Sequence, residues 1–200
     1  LFYIISSNNL EFVRPFSEVI KNPFQFADSN LITLTGWIIT YLGPLLFIIF
    51  VSSLAIGIAR KNLKIIYLSV LILAPFIAEI IFNKVLYPRF ILFYFPYMII
   101  LIAQFTDQLT SIFAKHRRII IVLFAIATAI PATDSLKLLT NPTSAKIPQS
   151  DSGQYLNDWP AGYGVSQIVT FLKNQPKDQQ VYVGTEGTFG LLPRALQIYF

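Results

Sequence analysis

From Leu31 to Ala59 the chain carries no charged side chain. Roughly 17–25 apolar residues cross a bilayer as a helix, and inside lipid every backbone N–H and C=O must find its partner within the segment. A run of this length and character commits the chain to a helical membrane protein. Three shorter stretches repeat the pattern: Ile65 to Phe82, Phe90 to about Phe105, and Ile119 to about Ala132. The fold class expected is therefore an α-helical integral membrane bundle of about four spans. Charged residues, at 12%, fall well below the roughly 25% of soluble domains. The 18 Phe and 10 Tyr suit lipid contact and interfacial belts. Because the first run exceeds one crossing, its start between Thr33 and Trp37 is expected in the interface, with Trp37 and Tyr41 as anchors. The last two stretches reach spanning length only if their ends extend, with Lys115, Arg117 and Arg118 snorkelling toward headgroups.

Loop charges orient the spans. Arg60, Lys61 and Lys64 give +3 after the first span, and Lys115, Arg117 and Arg118 less Asp107 give +2 after the third. The positive-inside rule places both loops in the cytoplasm. The loop between them, holding Lys84 and Arg89, then faces outward, together with a leading extracytoplasmic segment, residues 1–30, whose Glu11, Glu18 and Asp28 outweigh Arg14 and Lys21. The net +5 is scattered between apolar spans and forms no stripe, so nucleic acid is not a partner to expect.

Beyond the transmembrane region, residues 31–132, Pro, Asn, Asp, Ser and Gly multiply and no apolar run approaches spanning length. Residues 133–200 read as a small extracytoplasmic soluble domain, incomplete at its end. Val165, Ile168, Val169 and Leu172 fall at the i, i+3, i+4, i+7 spacing of an amphipathic helix, Asn174 to Asp178 supply a stop, and Val181-Tyr182-Val183 reads as a short buried strand. That order predicts an α/β layer.

The chemistry concentrates at Asn83-Lys84-Val85-Leu86-Tyr87-Pro88-Arg89-Phe90, where one apolar stretch ends and the next begins. A guanidinium at the mouth of a membrane helix can grip phosphate oxygens bidentately while the helix faces hydrocarbon. Arginines also sit at helix ends simply to anchor them. Pro88 suits the first turn of a helix, and Tyr87 and Phe90 put aromatic surface beside the charge, which points to a fixed site with Arg89 and Tyr87 binding a lipid phosphate. Glu79 is the lone acid inside a span. A carboxylate at that depth needs a partner, and Lys84 or Arg89 across the short loop is the pairing expected. Asp158 and Trp159 pair a carboxylate with an aromatic face that suits a sugar ring, although interfacial anchoring explains the tryptophan as well. Glu186 lies in Gly184-Thr185-Glu186-Gly187, which lacks the Gly-Lys-Ser/Thr of a phosphate cradle and reads as a strand-exit loop at an acceptor surface, making Glu186 a candidate acceptor or sugar contact with Asp158 and Trp159. With no cysteine and only His116, thiolate and multi-histidine metal sites are excluded from these residues.

Tyr87-Pro88-Arg89-Phe90 followed by Ile91-Leu92-Phe93-Tyr94-Phe95-Pro96 resembles the Pro-Arg-aromatic motif of glycosyltransferase family 39, the protein-mannosyltransferase-like enzymes of the C-type membrane fold. Trp159-Pro160-Ala161-Gly162-Tyr163-Gly164 and Val183-Gly184-Thr185-Glu186-Gly187-Thr188 look like segments of bacterial members. The resemblance implies a bacterial or archaeal cell-membrane enzyme that moves a sugar from a polyprenyl-phosphate carrier to an acceptor glycan, lipid or protein on the outer face. It implies that Arg89 contacts the lipid phosphate. In that family the catalytic carboxylate lies in the first outward loop near the amino terminus, so these residues are expected to be a carboxy-terminal portion without it. Some relatives use a divalent metal and others do not. Two other classes fit the composition: a transporter or flippase-like protein gated by Arg89 and Glu79, and a membrane-anchored binding or scaffold protein. A near absence of charge from the spans disfavours the transporter.

Overall fold

A computed structural model of the chain describes residues 10, 12–158, 164–176, 180–184 and 191–200. Among the described residues six α-helices form the first of two compact units, which ends at Thr140. They are α1 (Phe16–Lys21), α2 (Ala27–Leu42), α3 (Pro44–Ala59), α4 (Leu63–Phe82), α5 (Tyr94–Ile112) and α6 (Arg117–Thr140). Among the described residues α4 and α6, the latter with the turn before it, are long and apolar enough to cross a membrane, and α2 with α3 would make a third crossing if the bent pair is one span.

The uncharged run that opened the sequence reading is thus not one straight span. It breaks at Gly43-Pro44 into α2 and α3, bent by 114°. Gly43 holds φ 81 and ψ 150, a region essentially closed to residues with a Cβ, while Pro44 takes the first position of α3, where its missing N–H costs nothing. Both ends of α2 meet the same end of the α4–α5 pair. Asn30 near its start donates to the carbonyls of Ile80 (3.0 Å) and Asn83 (2.9 Å), and the Tyr41 ring near its end stands edge-on to Phe95 at 6.1 Å. Helix α2 therefore lies across the mouth of the bundle, and α3 turns away from it. The interfacial start expected between Thr33 and Trp37 is a complete helix.

Helix α5 occupies the centre, packed against α3, α4 and α6. Tyr94, Met98, Leu101, Ile102 and Phe105 line its buried stripe. Gln104, Asp107 and Gln108 in its last turns leave it outside the group apolar enough to cross on composition alone, so the span expected over Phe90 to Phe105 is a helix displaced to Tyr94–Ile112 and sheltered by its neighbours. Ser53 of α3, buried against it, donates to the Leu101 carbonyl at 3.0 Å. Gly57 lets α3 and α4 close at their hairpin: a Cβ there would overlap the Ile65 side chain. Asn62 caps α4 by accepting from the backbone N–H groups of Lys64 and Ile65, the usual service of an asparagine at that position.

The fourth stretch also extends. Helix α6 carries Pro131 in its interior and continues past the expected border at 132 to Thr140. The hydroxyls of Thr133 and Ser135 bond back to the carbonyls of Ile130 and Pro131, which helps the helix tolerate a proline that removes one backbone donor.

In the second unit, Asn141–Phe200, the predicted amphipathic helix is present as α7 (Val165–Lys173), closed at Asn174, and α8 (Leu191–Tyr199) packs against it. Lys173 lies over the rings of Tyr199 and Phe200 at 5.5 and 6.0 Å. The expected α/β layer is corrected: among the described residues there is no strand in this unit. Val181, Tyr182 and Val183 are exposed and pair with no strand among the described residues. Three apolar residues cannot make a strand without a neighbouring backbone to fill the ladder.

Candidate functional site

The mouth of the bundle is built on the carboxy-terminal end of α4, where the last carbonyls of a helix normally lack partners. Here all four are met. Asn83 donates its backbone N–H to the Glu79 carbonyl at 3.2 Å, and the backbone N–H of Arg14 donates to that of Phe82 at 2.7 Å. Asn30 takes the Ile80 carbonyl, and the Arg14 guanidinium reaches that of Ile81 at 3.5 Å. Arg14 also donates to the carbonyls of Glu18 (3.1 Å) and Asn22 (2.7 Å) and lies over the Phe26 ring at 5.6 Å. It is 2% exposed. A cation fixed against a helix carboxy terminus is electrostatically favoured there. In the sequence, Arg14 entered only as a charge in the loop tally, and Asn30 not at all. Nothing in their spacing marks a long-range cap, because the α4 carbonyls they serve lie 50 and 67 positions away.

Beyond α4 the chain passes through Lys84 and enters a 3-10 turn, Pro88–Ile91, before α5. Pro88 and Ile91 are buried, and the turn meets α2. Two fixed points hold the backbone while Arg89, between them, is exposed. Its guanidinium lies over the Tyr87 ring at 4.5 Å and the Phe90 ring at 5.9 Å, and those rings meet edge-to-face at 5.7 Å. Stacking of this kind contributes about 0.5–1 kcal/mol at an exposed site and leaves the N–H groups free. Among the described residues neither a carboxylate nor a carbonyl takes them. Tyr87 and Arg89, singled out together in the sequence, thus stand together at the mouth.

The other expected members are placed differently. Lys84 does not meet Glu79. It turns toward the leading segment, donating to the Leu10 carbonyl at 2.9 Å and standing 3.9 Å from a Glu18 oxygen. Nor does Glu79 meet Arg89. It faces the Tyr94 hydroxyl, and Glu79 Oε2 and the Tyr94 oxygen are both sealed from solvent without a well-formed hydrogen bond. The reason is the helical turn between them: Glu79 lies one turn before the end of α4, beside the fully buried Tyr94 that starts α5, while Lys84 and Arg89 lie past that end on the solvent side.

Asp158 belongs to the second unit, where it is exposed and its backbone N–H closes the preceding turn on the Gly153 carbonyl at 2.8 Å. Trp159 and Glu186 lie outside the described residues. Among the described residues no three His, Cys, Asp or Glu side chains converge as metal ligands would. No family model matches the chain, and neither a curated protein nor a solved structure matches it.

Proposed function

We propose that the chain is part of a membrane glycosyltransferase that takes a sugar from a polyprenyl-phosphate carrier, with Arg89 holding the carrier's phosphate and the apolar flank of α4 and α5 receiving its hydrocarbon. The observation that carries this reading is the state of Arg89: exposed, stacked on Tyr87, with its N–H groups unspent among the described residues. A guanidinium so held is a preformed phosphate fork. As the bond from sugar to phosphate breaks, negative charge grows on the departing phosphate, and a fixed cation there stabilises the transition state more than the ground state. Tyr87 stiffens the fork. The carboxylate that would deprotonate the acceptor hydroxyl is not assigned to any residue of this chain. Acceptor classes in keeping with the reading are a glycan, a lipid or a protein at the outer face of a bacterial or archaeal membrane.

The test is sugar transfer from a polyprenyl-phosphate donor in membranes holding the full-length protein. Arg89→Ala should lower the rate by about 10²-fold, the usual loss when one charge-stabilising donor is removed. Arg89→Lys should recover only part of it, because an ammonium keeps the charge but not the two-pronged geometry. Unchanged transfer by both variants would refute the assignment.

A further inference from the structure

Helix α1 and the turn after it leave large apolar side chains uncovered: Phe16 is 67% exposed, Ile20 66% and Phe24 73%. At 100° per residue, Phe16 and Ile20 share one face of α1, Val19 lies next to them on the buried side, and Ser17, Glu18 and Lys21 fill the opposite arc. The helix is amphipathic, yet only Val19 is buried against the protein. Its position is not free. Arg14 ties its first and last turns to the end of α4, Phe16 stacks on Phe82 at 6.4 Å, Glu18 stands 3.9 Å from Lys84, and the backbone pairs at Val13 and Asn83. These contacts hold α1 at the level where a helix long enough to cross the membrane ends. That level is the boundary between headgroups and acyl chains.

We infer that α1 is an interfacial float, with Phe16, Ile20 and Phe24 dipping into the outer edge of the hydrocarbon and Ser17, Glu18 and Lys21 in the headgroup layer. The occupant of the exposed face is the bilayer itself. Position supports this choice over a protein groove, since the apolar face stands at the end of a helix long enough to cross the membrane, and the exposed Lys21 and Arg89 there, mixed with Glu18 and Asp28, would meet the charges of a headgroup layer. Because α1 is clamped to the same helix end that leads into the 3-10 turn, the float fixes the depth of that turn. The inference requires only that α4 crosses the membrane, and it holds whatever anion Arg89 meets.

These 200 residues contain no cysteine, so single sites can be labelled once any cysteine elsewhere in the full-length protein has been changed to serine. The full-length protein carrying Ile20→Cys, Phe24→Cys or Ser17→Cys is labelled with an environment-sensitive fluorophore in vesicles of phosphatidylcholine and phosphatidylglycerol. At positions 20 and 24, a nitroxide attached near the lipid headgroup should quench several-fold more than one at the chain end and more than aqueous iodide. At position 17 iodide should quench best. Equal iodide quenching at 17 and 20 would overturn the inference, as would protection of 20 and 24 from every quencher, which would mean that protein covers the face. Strongest quenching from the chain end would overturn it too. None of these readouts depends on sugar transfer, so the float and the role of Arg89 can fail separately.

Discussion

Two arginines at the same mouth do opposite work. Arg89 leaves its donors unspent among the described residues, whereas Arg14 gives its own to three backbone carbonyls and is sealed beneath them. Removing Arg14 would strand those acceptors in a nearly dry site. Hydrogen bonds to a charged group each contribute about 1.5–3 kcal/mol, and stranded acceptors add their desolvation cost. Arg14→Ala should therefore destabilise the first unit by about 3–5 kcal/mol, read as a lower midpoint of thermal unfolding in detergent. Arg14→Lys should restore little, because one ammonium cannot span three carbonyls on two elements. Glu79→Gln tests the buried pair differently. An amide keeps the shape and can donate to the Tyr94 oxygen, so stability should be unchanged or higher by up to about 1 kcal/mol in the same measurement, whereas a loss above 2 kcal/mol would mean that the carboxylate has a partner it needs. Of these residues only Arg89, Tyr87 and Glu79 were legible in the sequence, because a charge at the edge of an apolar run is a local signal. The bonds of Arg14 and Asn30 exist only once distant segments are brought together.

Among the elements, apolar stretches read from composition became helices, but where they begin, end and bend followed from single residues. Gly43 made an elbow inside a run that composition alone presents as one continuous span. A glycine followed by proline marks a break, and the length of the run was the second hint that it held more than a single crossing. Gly43→Ala should cost about 1–3 kcal/mol, since alanine must adopt a backbone region reserved for glycine, although its added methyl would meet the Pro131 ring only at an ordinary contact distance of 3.8 Å. Gly57→Ala acts by another route: its new methyl would have to displace Ile65, buried at the α3–α4 hairpin, at about 1–3 kcal/mol for overpacking. Trimming Ile65 to Ala in the Gly57→Ala background separates the two mechanisms, since removing the outer methyls of Ile65 should relieve part of the Gly57 clash, leaving only the Ile65 Cβ at 2.8 Å, and do nothing for Gly43→Ala. Unfolding midpoints of the single and double variants give the comparison. The strand at Val181 to Val183 went wrong for a physical reason of its own. Period and composition report what a segment could become, and a strand also needs an edge to pair with, which no local pattern supplies.

The first unit as a body has two ends of different chemistry. Helices α3 and α4 join through Arg60-Lys61-Asn62, and α5 and α6 join through Lys115-His116-Arg117, while Lys84, Arg89, α1 and α2 gather where α4 ends and α5 starts. Since α4 and α5 run in opposite directions between these places, both basic joints fall at one end and the Arg89 mouth at the other. That geometry makes the orientation argument stricter than a tally of loop charges. Two joints with an excess of Lys and Arg share one side, so the positive-inside preference acts on them together and makes an outward mouth the orientation to expect. The bend at Gly43 does not alter this, because α2 lies across the mouth and α3 alone runs back to the basic joint. Single cysteines at Lys61, Lys115 and Val85, each labelled in intact cells by a membrane-impermeant maleimide, check the arrangement in the full-length protein. The label should reach position 85 from outside, and reach 61 and 115 only after permeabilisation. Position 85 reacting together with 61 and 115 from one side would mean that α4 does not cross. Labelling of 61 and 115 alone in intact cells would reverse the orientation, leave the helix packing intact, and place Arg89 in the cytoplasm, away from any sugar carrier presented at the outer face.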